Sequence, residues 1–343
     1  MTVKVLRPGA LATLQDLGRS GMQHLGIVPG GAMDAVSHRI ANALVGNRAD
    51  AATLEIAISG PELLFERRAL VALAGARFEA WIEGAAFPDA RPVLVRAGAR
   101  LRIGRATAGA FGYLAVAGGF DLPVVLGSRS TYLPGAFGGF DGRLLSSGAS
   151  LPLAADAEAI GAERFARVLR KRQEVELAGG AARSVRWLAP ALTVSGTDPT
   201  LARAVDGVHA ALFTDAARTA FFGERWRVAP DSNRMGYRLL GPKLELVAPT
   251  EILSQATCLG TVQVPANGQP IVLMSDHQTT GGYPKIAEVI AADTPSLAQV
   301  PPGAAVRFVA VKLDEADAAR EALGRRLGEL LERILWEFGN EDD

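Results

Sequence analysis

A mainly β fold of the α+β type, in two lobes with a few short helices, is predicted for this 343-residue sequence by three observations. Short apolar runs recur along the chain, among them Leu70 to Leu73, Val93 to Val95, Tyr113 to Val116 and Ile271 to Met274. Thirty-eight glycines and 19 prolines punctuate them, and brief strands separated by frequent turn residues pack as sandwiches or barrels. The length, finally, exceeds what one hydrophobic core normally serves, so two cores are expected.

Taken in order, the elements begin with a helix after Asp34, a side chain suited to capping free N–H groups. Val36, Ile40 and Leu44 share one face at four-residue spacing, and Gly46 and Asn47 close the helix. The stretch Ala154 to Arg186 is rich in Ala, Arg and Glu and reads as the separator between halves. That places an N-terminal lobe at 1–185 and a C-terminal lobe at 186–312. An echo between AISGPELLFERRALVAL near residue 60 and RLLGPKLELVAPTEIL near residue 241 agrees with two related lobes. Beyond them, a C-terminal extension at 313–343 carries a helix from Asp317 to about Phe338, striped by Leu323, Leu327, Leu330, Leu331 and Ile334.

Composition excludes several classes of function. Thirty-six basic and 36 acidic residues cancel, which removes the electrostatic footprint of a nucleic-acid binder. Cys258 is the only cysteine, so no intrachain disulfide or thiolate cluster is available and a reducing cytoplasm is the expected compartment. No apolar span reaches bilayer length, and no membrane association is expected. The chain has no GxxxxGK[ST], GxGxxG, GxSxG or HExxH pattern. His24, His38, His209 and His277 lack ligand-like spacing, so no metal site is assigned.

The densest run of chemistry lies in GTVQVPANGQPIVLMSDHQTTGGYPKIAEVI, Gly260 to Ile290. Between an apolar strand at Ile271 to Met274 and the apolar Val289 and Ile290, the chain presents Asp276, His277, Gln278, Thr279 and Thr280. Gly281 and Gly282 then permit positive φ or close approach, followed by Tyr283, Pro284 and Lys285. Such a run is either a binding loop held by a rigid sheet or an ordinary polar hairpin tip. Gln263, on a strand leading to the loop, either lines a pocket or bonds a neighbouring strand. Four further clusters are candidates. Gln15, Asp16 and Arg19 form a turn in which Arg19 holds a carboxylate or phosphate, or pairs with Asp16. Gly30 and Gly31 offer backbone N–H groups to an anion, in competition with capping by Asp34. Arg129, Ser130 and Thr131 follow a strand expected around Val124 to Leu126, and Ser232, Asn233 and Arg234 open another; both sets suit ligand clamps or loop ties.

DHQTTGGYPKIA resembles the signature of the biotin-dependent carboxyltransferase family, also called allophanate hydrolase subunit 2 or the C subunit of 5-oxoprolinase. TLQDLGRSGMQHLGIVPGGAMD, RIANALVGN, LEIAISGPELLF, YLAVAGGF, LGSRSTYL and SNRMGYRLLGP agree with it in the same order. The resemblance implies two cyclophilin-like β-barrel lobes. It implies one of three jobs: opening 5-oxo-L-proline to L-glutamate with ATP as part of a complex, carboxyl transfer from carboxybiotin to urea, or non-catalytic antagonism of a kinase-inhibitor protein. Stand-alone length favours the first, an ATP-dependent cyclic amide hydrolase working with an inhibitor-type B subunit and a lactam-hydrolase A subunit. ATP would bind here or with a partner, and biotin would not be attached, since no Met-Lys-Met pattern is present. On that footing Gln278, Thr279, Thr280, the Gly281 and Gly282 backbone and Tyr283 orient the lactam or phosphate. Gln15, Asp16, Ser130 and Gln263 are further binding candidates, and Arg19, Arg129 or Arg234 counters charge. Asp276 serves as base or metal contact, or else stabilises the turn. The chain departs from the family at Asn233, where an acidic residue is common, and at His277, where Arg is frequent.

Overall fold

A computed structural model describes residues 2–194 and 197–339. Its contacts divide into two units: one of residues 1–18, 34–194 and 326–343, the other of residues 19–33 and 195–325. The division falls nine residues beyond the 185 expected from composition, and it assigns 19–33 to the second unit and the chain's end to the first.

The first unit is built on an eleven-stranded sheet. Its strands are β1 (Thr2–Arg7), β2 (Leu11–Gln15), β3 (Thr53–Ala57), β4 (Glu62–Phe65), β5 (Ala69–Ile82), β6 (Ala85–Ala86), β7 (Val93–Val95), β8 (Arg100–Val116), β9 (Ser150–Pro152), β10 (Glu174–Leu177) and β11 (Ala182–Val185). The long antiparallel pair β5–β8 is its spine, running from Val71 opposite Val116 to Ile82 opposite Leu101. Alternation along β5 sends Val71, Leu73, Ala76, Phe78, Ala80 and Ile82 into one core with Leu14, Leu54, Ile56 and Phe65. Helix α1 (Ala35–Ala43) starts where the sequence places it. The Asp34 carboxylate accepts from the N–H groups of Val36 (3.1 Å) and Ser37 (3.0 Å), and Gly46 reverses the chain at φ +70°. The same carboxylate accepts from the hydroxyls of Ser37 (2.7 Å) and Thr193 (2.5 Å), so one buried side chain caps the helix and anchors a distant loop.

The stretch read as a separator is instead part of this unit. Helix α2 (Ala157–Leu169) buries Ala157, Phe165 and Val168, and β10 and β11 extend the sheet beside β7. Its Ala-rich composition fits an amphipathic helix as well as a linker, and only packing separates the two. The strand expected at 124–126 is reduced to a single bridge between Val125 and Ser128.

The second unit is a closed seven-stranded barrel. Its strands are β12 (Thr200–Asp206), β13 (Trp226–Val228), β14 (Gly236–Leu240), β15 (Gln255–Ala256), β16 (Thr261–Gln263), β17 (Ile271–Leu273), β18 (Thr280–Gly281), β19 (Lys285–Val289) and β20 (Ala305–Ala310), of which β15 and β18 form a separate two-stranded ribbon. Parallel pairing of β12 with β20 closes the ring. Inside lie Ala202, Ala204, Trp226, Val228, Tyr237, Leu239, Val262, Val272, Val306 and Phe308. Helix α3 (Asp215–Gly223), capped by the Thr214 hydroxyl, stacks Phe221 on Phe308 with ring centroids 4.5 Å apart. A short helix α4 (Thr294–Ala298) follows β19, and α5 (Leu313–Trp336) is the last element. In the first unit, the end of α5 is fixed by Arg172 Nε donating to Glu337 (2.9 Å) and by the Lys171 ammonium 3.7 Å from the Trp336 ring centre. Residues 340–343 of the expected extension lie outside the described residues.

His38 of α1 is buried against Tyr113, and burial pushes its pKa down to about 4. The unfolded chain takes up this proton near the ordinary value of 6.5 while the folded chain resists it. Stability is therefore full above about pH 6.5 and falls as pH drops toward 4, by on the order of 3 kcal/mol. Urea-midpoint measurements across that range check it, and the dependence should flatten in His38→Asn. Separately, Asp34→Ala should lower stability in the same assay by at least the ~1–2 kcal/mol of a lost cap.

Candidate functional site

Strand parity sets the site on the outer wall of the barrel. Tyr237, Val272 and Val262 face each other inside, so the residues flanking them face outward. Gly236 and Arg238 of β14, Leu273 and Ile271 of β17 and Gln263 of β16 therefore share one outer patch. The loop after β17 folds back over it. With Asn233, Met235, Gln278 and Tyr283, these residues line a pocket of about 200 Å³. A wider cavity of about 710 Å³, lined by Lys243, Glu245, Ile252, Val264, Gly282 and Pro284 among others, also has Tyr283 in its wall. Tyr283, 50 % exposed, belongs to both.

Gln263 is the polar floor of the smaller pocket. It is 1 % exposed, its Oε1 accepts from Gln278 Nε2 at 3.2 Å, and its Nε2 has no hydrogen-bond acceptor among the described residues. A buried amide donor left in that state costs about 1–3 kcal/mol, a cost that an acceptor on a ligand relieves. Gly281 is required directly above it: a Cβ there would lie 2.4 Å from Gln263 Nε2. Of the two uses expected for Gly281 and Gly282, positive φ is adopted by neither, and at Gly281 close approach is the reason for glycine.

Behind the loop sits a buried ion pair. Arg234 donates from Nε to Asp276 Oδ2 at 2.8 Å and from Nη2 to Oδ1 at 2.9 Å, with side chains only 6 % and 4 % exposed. Arg234 Nη2 also donates to the Gly31 carbonyl at 2.6 Å, and the Asp276 N–H donates to the Arg234 carbonyl. Arg19, 1 % exposed, approaches the same place, since a Cβ on Gly30 would lie 3.4 Å from Arg19 Nη1 and 3.6 Å from Asp276 Oδ1. Bidentate pairing of this kind fixes orientation as well as charge. It makes Asp276 a carboxylate engaged along both oxygens rather than one turned toward a ligand.

His277 is equally committed. Burial lowers its pKa, so the ring is neutral near pH 7, and Nδ1 donates to the Gln278 carbonyl at 2.7 Å with the Thr257 hydroxyl at 3.3 Å. Thr280 and Gly281 pair with Ala256 and Gln255 in the ribbon, where the Thr280 side chain is exposed and Thr279 half-buried. Lys285, buried, donates through Nζ to the Ala256 carbonyl and so ties the ribbon to β19.

The second unit thus gathers Arg19, Arg234, Gln263, Asp276, Gln278, Thr279, Thr280, Gly281, Gly282 and Tyr283. Gln15, Asp16, Arg129 and Ser130 form another cluster in the first unit. There Asp16 Oδ1 accepts from Ser128 Oγ (2.6 Å), Ser130 Oγ (2.6 Å) and the Gly18 N–H (2.8 Å), while Oδ2 accepts from the Arg129 N–H. Gln15 Nε2 donates to Thr13 and to the Thr131 carbonyl, with Oε1 left without a donor among the described residues. That carboxylate organises its own loops. Met235 and Arg238 are pocket residues that lie within the SNRMGYRLLGP segment but are not singled out there as site candidates. Their signal is the parity of RMGYRLL, in which Arg238 stands between two core residues, but it locates a pocket only once β14 is known to pair with β17.

Residues 25–310 match the family described as carboxyltransferase domain, subdomain A and B. The chain belongs to that family. It is 40 % identical over 340 residues to the 5-oxoprolinase C subunit of Escherichia coli K12, covering 99 % of this chain and 100 % of that one. It is 38 % identical over 324 residues to the protein of the same name from Haemophilus influenzae, covering 93 % and 94 %. Among solved structures, the urea amidolyase of K. lactis superposes with a TM-score of 0.84 at 29 % identity, covering 96 % of this chain and 20 % of that one. Relatives named as subunits make membership of a multi-subunit enzyme the setting of this carboxyltransferase domain. Among the described residues, no helix is long and apolar enough to cross a membrane.

Within the carboxyltransferase domain, the Arg234–Asp276 pair is the strut of the loop. Arg234→Met leaves a buried carboxylate without its bidentate partner and should cost about 3–5 kcal/mol. The double variant Arg234→Met/Asp276→Leu should recover part of that loss in a urea-unfolding cycle, because the carboxylate left without its bidentate partner is removed as well.

Proposed function

We propose that this chain is the C subunit of an ATP-dependent 5-oxoprolinase, which opens 5-oxo-L-proline to L-glutamate with an inhibitor-type B subunit and a lactam-hydrolase A subunit. The reading rests on end-to-end similarity to the E. coli protein at 40 % identity, with no large unmatched segment in either chain. ATP enters as a substrate of the assembled enzyme. Its phosphoryl group, transferred to the lactam oxygen, makes the ring carbon electrophilic. Water then adds at that carbon, the C–N bond breaks to leave an acyl phosphate, and a second water releases phosphate and glutamate.

What this chain contributes in that scheme is a preorganised donor site. Gln263 Nε2 lacks an acceptor among the described residues, so it can donate to the lactam or phosphoryl oxygen without first giving up one of their hydrogen bonds. Gln278 holds the Gln263 amide in orientation, and the Tyr283 hydroxyl supplies a second polar group at the rim. Asp276 acts as a positioning residue: with Arg234 it fixes the start of the loop, while Thr279 and Thr280 carry it into the ribbon. A second reading, carboxyl transfer from carboxybiotin to urea, is favoured by the TM-score of 0.84 to the urea amidolyase. The pocket's amide side chains, Gln263 and Gln278, can bond urea as well as a lactam.

Glutamate release from 5-oxoproline and ATP, measured with both partner subunits and with or without this chain, tests the assignment. Release dependent on this chain supports it; chain-independent release, or none from an assembled complex, sinks it and turns attention to carboxybiotin-dependent urea carboxylation. In the active complex, Gln263→Met should lower kcat/KM about 100-fold, the scale of one lost preorganised donor, without loss of folding. Thr280→Val and Tyr283→Phe should also lower activity. Full activity in all three variants would remove this pocket from the mechanism.

A further inference from the structure

The outer-wall pocket has a charge pattern that its hydrogen bonds alone do not explain. Of its nine lining residues, eight are formally neutral: the amides Asn233, Gln263 and Gln278, the phenol Tyr283, and the apolar Met235, Gly236, Ile271 and Leu273. The ninth is Arg238, and no acidic residue lines the cavity. A site of this make-up is complementary to a small molecule bearing amide groups and one negative charge.

Arg238 is placed to serve as that charge. It lies on β14 opposite Ile271, on the same outward face as Gln263, which is also opposite Ile271 from the other side of β17. Its only ionic partner among the described residues is Asp231, with Nε 3.1 Å from Oδ2 and side chains 54 % and 69 % exposed. An exposed pair of that kind is held weakly, typically by less than about 1 kcal/mol, so an arriving carboxylate exchanges for Asp231 at little cost. Arg234 differs in kind: that guanidinium, buried and bidentate on Asp276, is already committed to the fold. Of the two arginines flanking the Met235–Tyr237 turn into the strand, only Arg238 is open to a ligand.

We infer that Arg238 determines specificity by receiving the substrate's carboxylate, with Gln263 at the floor meeting its amide oxygen. The inference rests on the 5-oxoprolinase reading and narrows it. The site then selects a lactam carrying a carboxylate and discriminates against neutral amides such as urea. Asp231 acts as a stand-in carboxylate at the rim, holding the guanidinium in place until substrate displaces it.

The experiment compares 5-oxo-L-proline with 2-pyrrolidinone, the same lactam without a carboxylate, in the assembled enzyme. Steady-state ATP turnover is measured with Arg238→Gln, Arg238→Lys and Gln263→Met beside the unaltered chain. Arg238→Gln should raise KM for 5-oxo-L-proline about tenfold or more while leaving kcat within about twofold, and should leave the parameters for 2-pyrrolidinone unchanged. Arg238→Lys should restore part of the affinity, since the charge survives without the planar fork. An unchanged KM for 5-oxo-L-proline in Arg238→Gln, or an equal loss for both lactams, overturns the inference. If Gln263→Met is impaired in that same outcome, the functional reading stands and only the role of Arg238 falls. If neither variant affects turnover, the pocket leaves the mechanism and the role of Arg238 falls with it; if turnover does not need this chain, the reading fails too. Melting temperatures check that each variant folds, and Arg238 is far enough exposed that its replacement leaves no buried void.

Discussion

Everything presented by the loop after β17 depends on where a single carboxylate is held. Asp276 is buried, and Arg234 grips both of its oxygens while also binding the carbonyl of Gly31. Three stretches of the second unit, residues 30–31, 234 and 276, are thereby tied at one point. Two residues beyond that point Gln278 reaches Gln263, and five beyond that Tyr283 forms the rim of two cavities. Burying charge is expensive, and a well-packed apolar substitute would often do as well for stability alone. The return here is directional. A bidentate fork admits few geometries, so the residues that follow leave the barrel at a defined angle.

The division of labour along this stretch follows from burial. Asp276 and His277 are turned inward and spent on structure, His277 as a neutral ring bonded to the next residue's carbonyl. Gln278 and Tyr283 reach the pocket. Neither glycine between them adopts an unusual φ, and Gly281 serves the backbone's approach to Gln263. A run that looks uniformly functional as text is thus a structural half followed by a presenting half.

Much of the fold is legible in the sequence because local chemistry decides it. Asp34 is a cap wherever it precedes an amphipathic run, and Ile271 to Leu273 has little choice but to be a buried strand. The Ala154 to Arg186 region passes for a separator because alanine, arginine and glutamate describe a solvated linker and an amphipathic helix equally well; the burial of Phe165 and Val168 is what distinguishes them. Residues 19–33 give no sign of belonging with the later half, since nothing local encodes a contact with a residue more than 200 positions away. The site is legible in part for the same reason. Gln263 stands out as an amide in an apolar strand, whereas Arg238 looks like an ordinary outward-facing strand residue until the pairing of β14 with β17 puts it on the same patch as Gln263.

Placing the pocket on the outside of a closed barrel separates two kinds of evolutionary change. Residues such as Val262, Val272, Tyr237 and Leu239 answer to close packing, and their neighbours one position along answer to whatever is bound. Because the pleat alternates, a lineage can exchange Gln263 or Arg238 for side chains suited to another small molecule without disturbing the interior layer. A scaffold arranged in that way can be recruited repeatedly. The carboxyltransferase domain occurs both as a chain matched end to end by a bacterial protein and as a fifth of a much larger fungal enzyme.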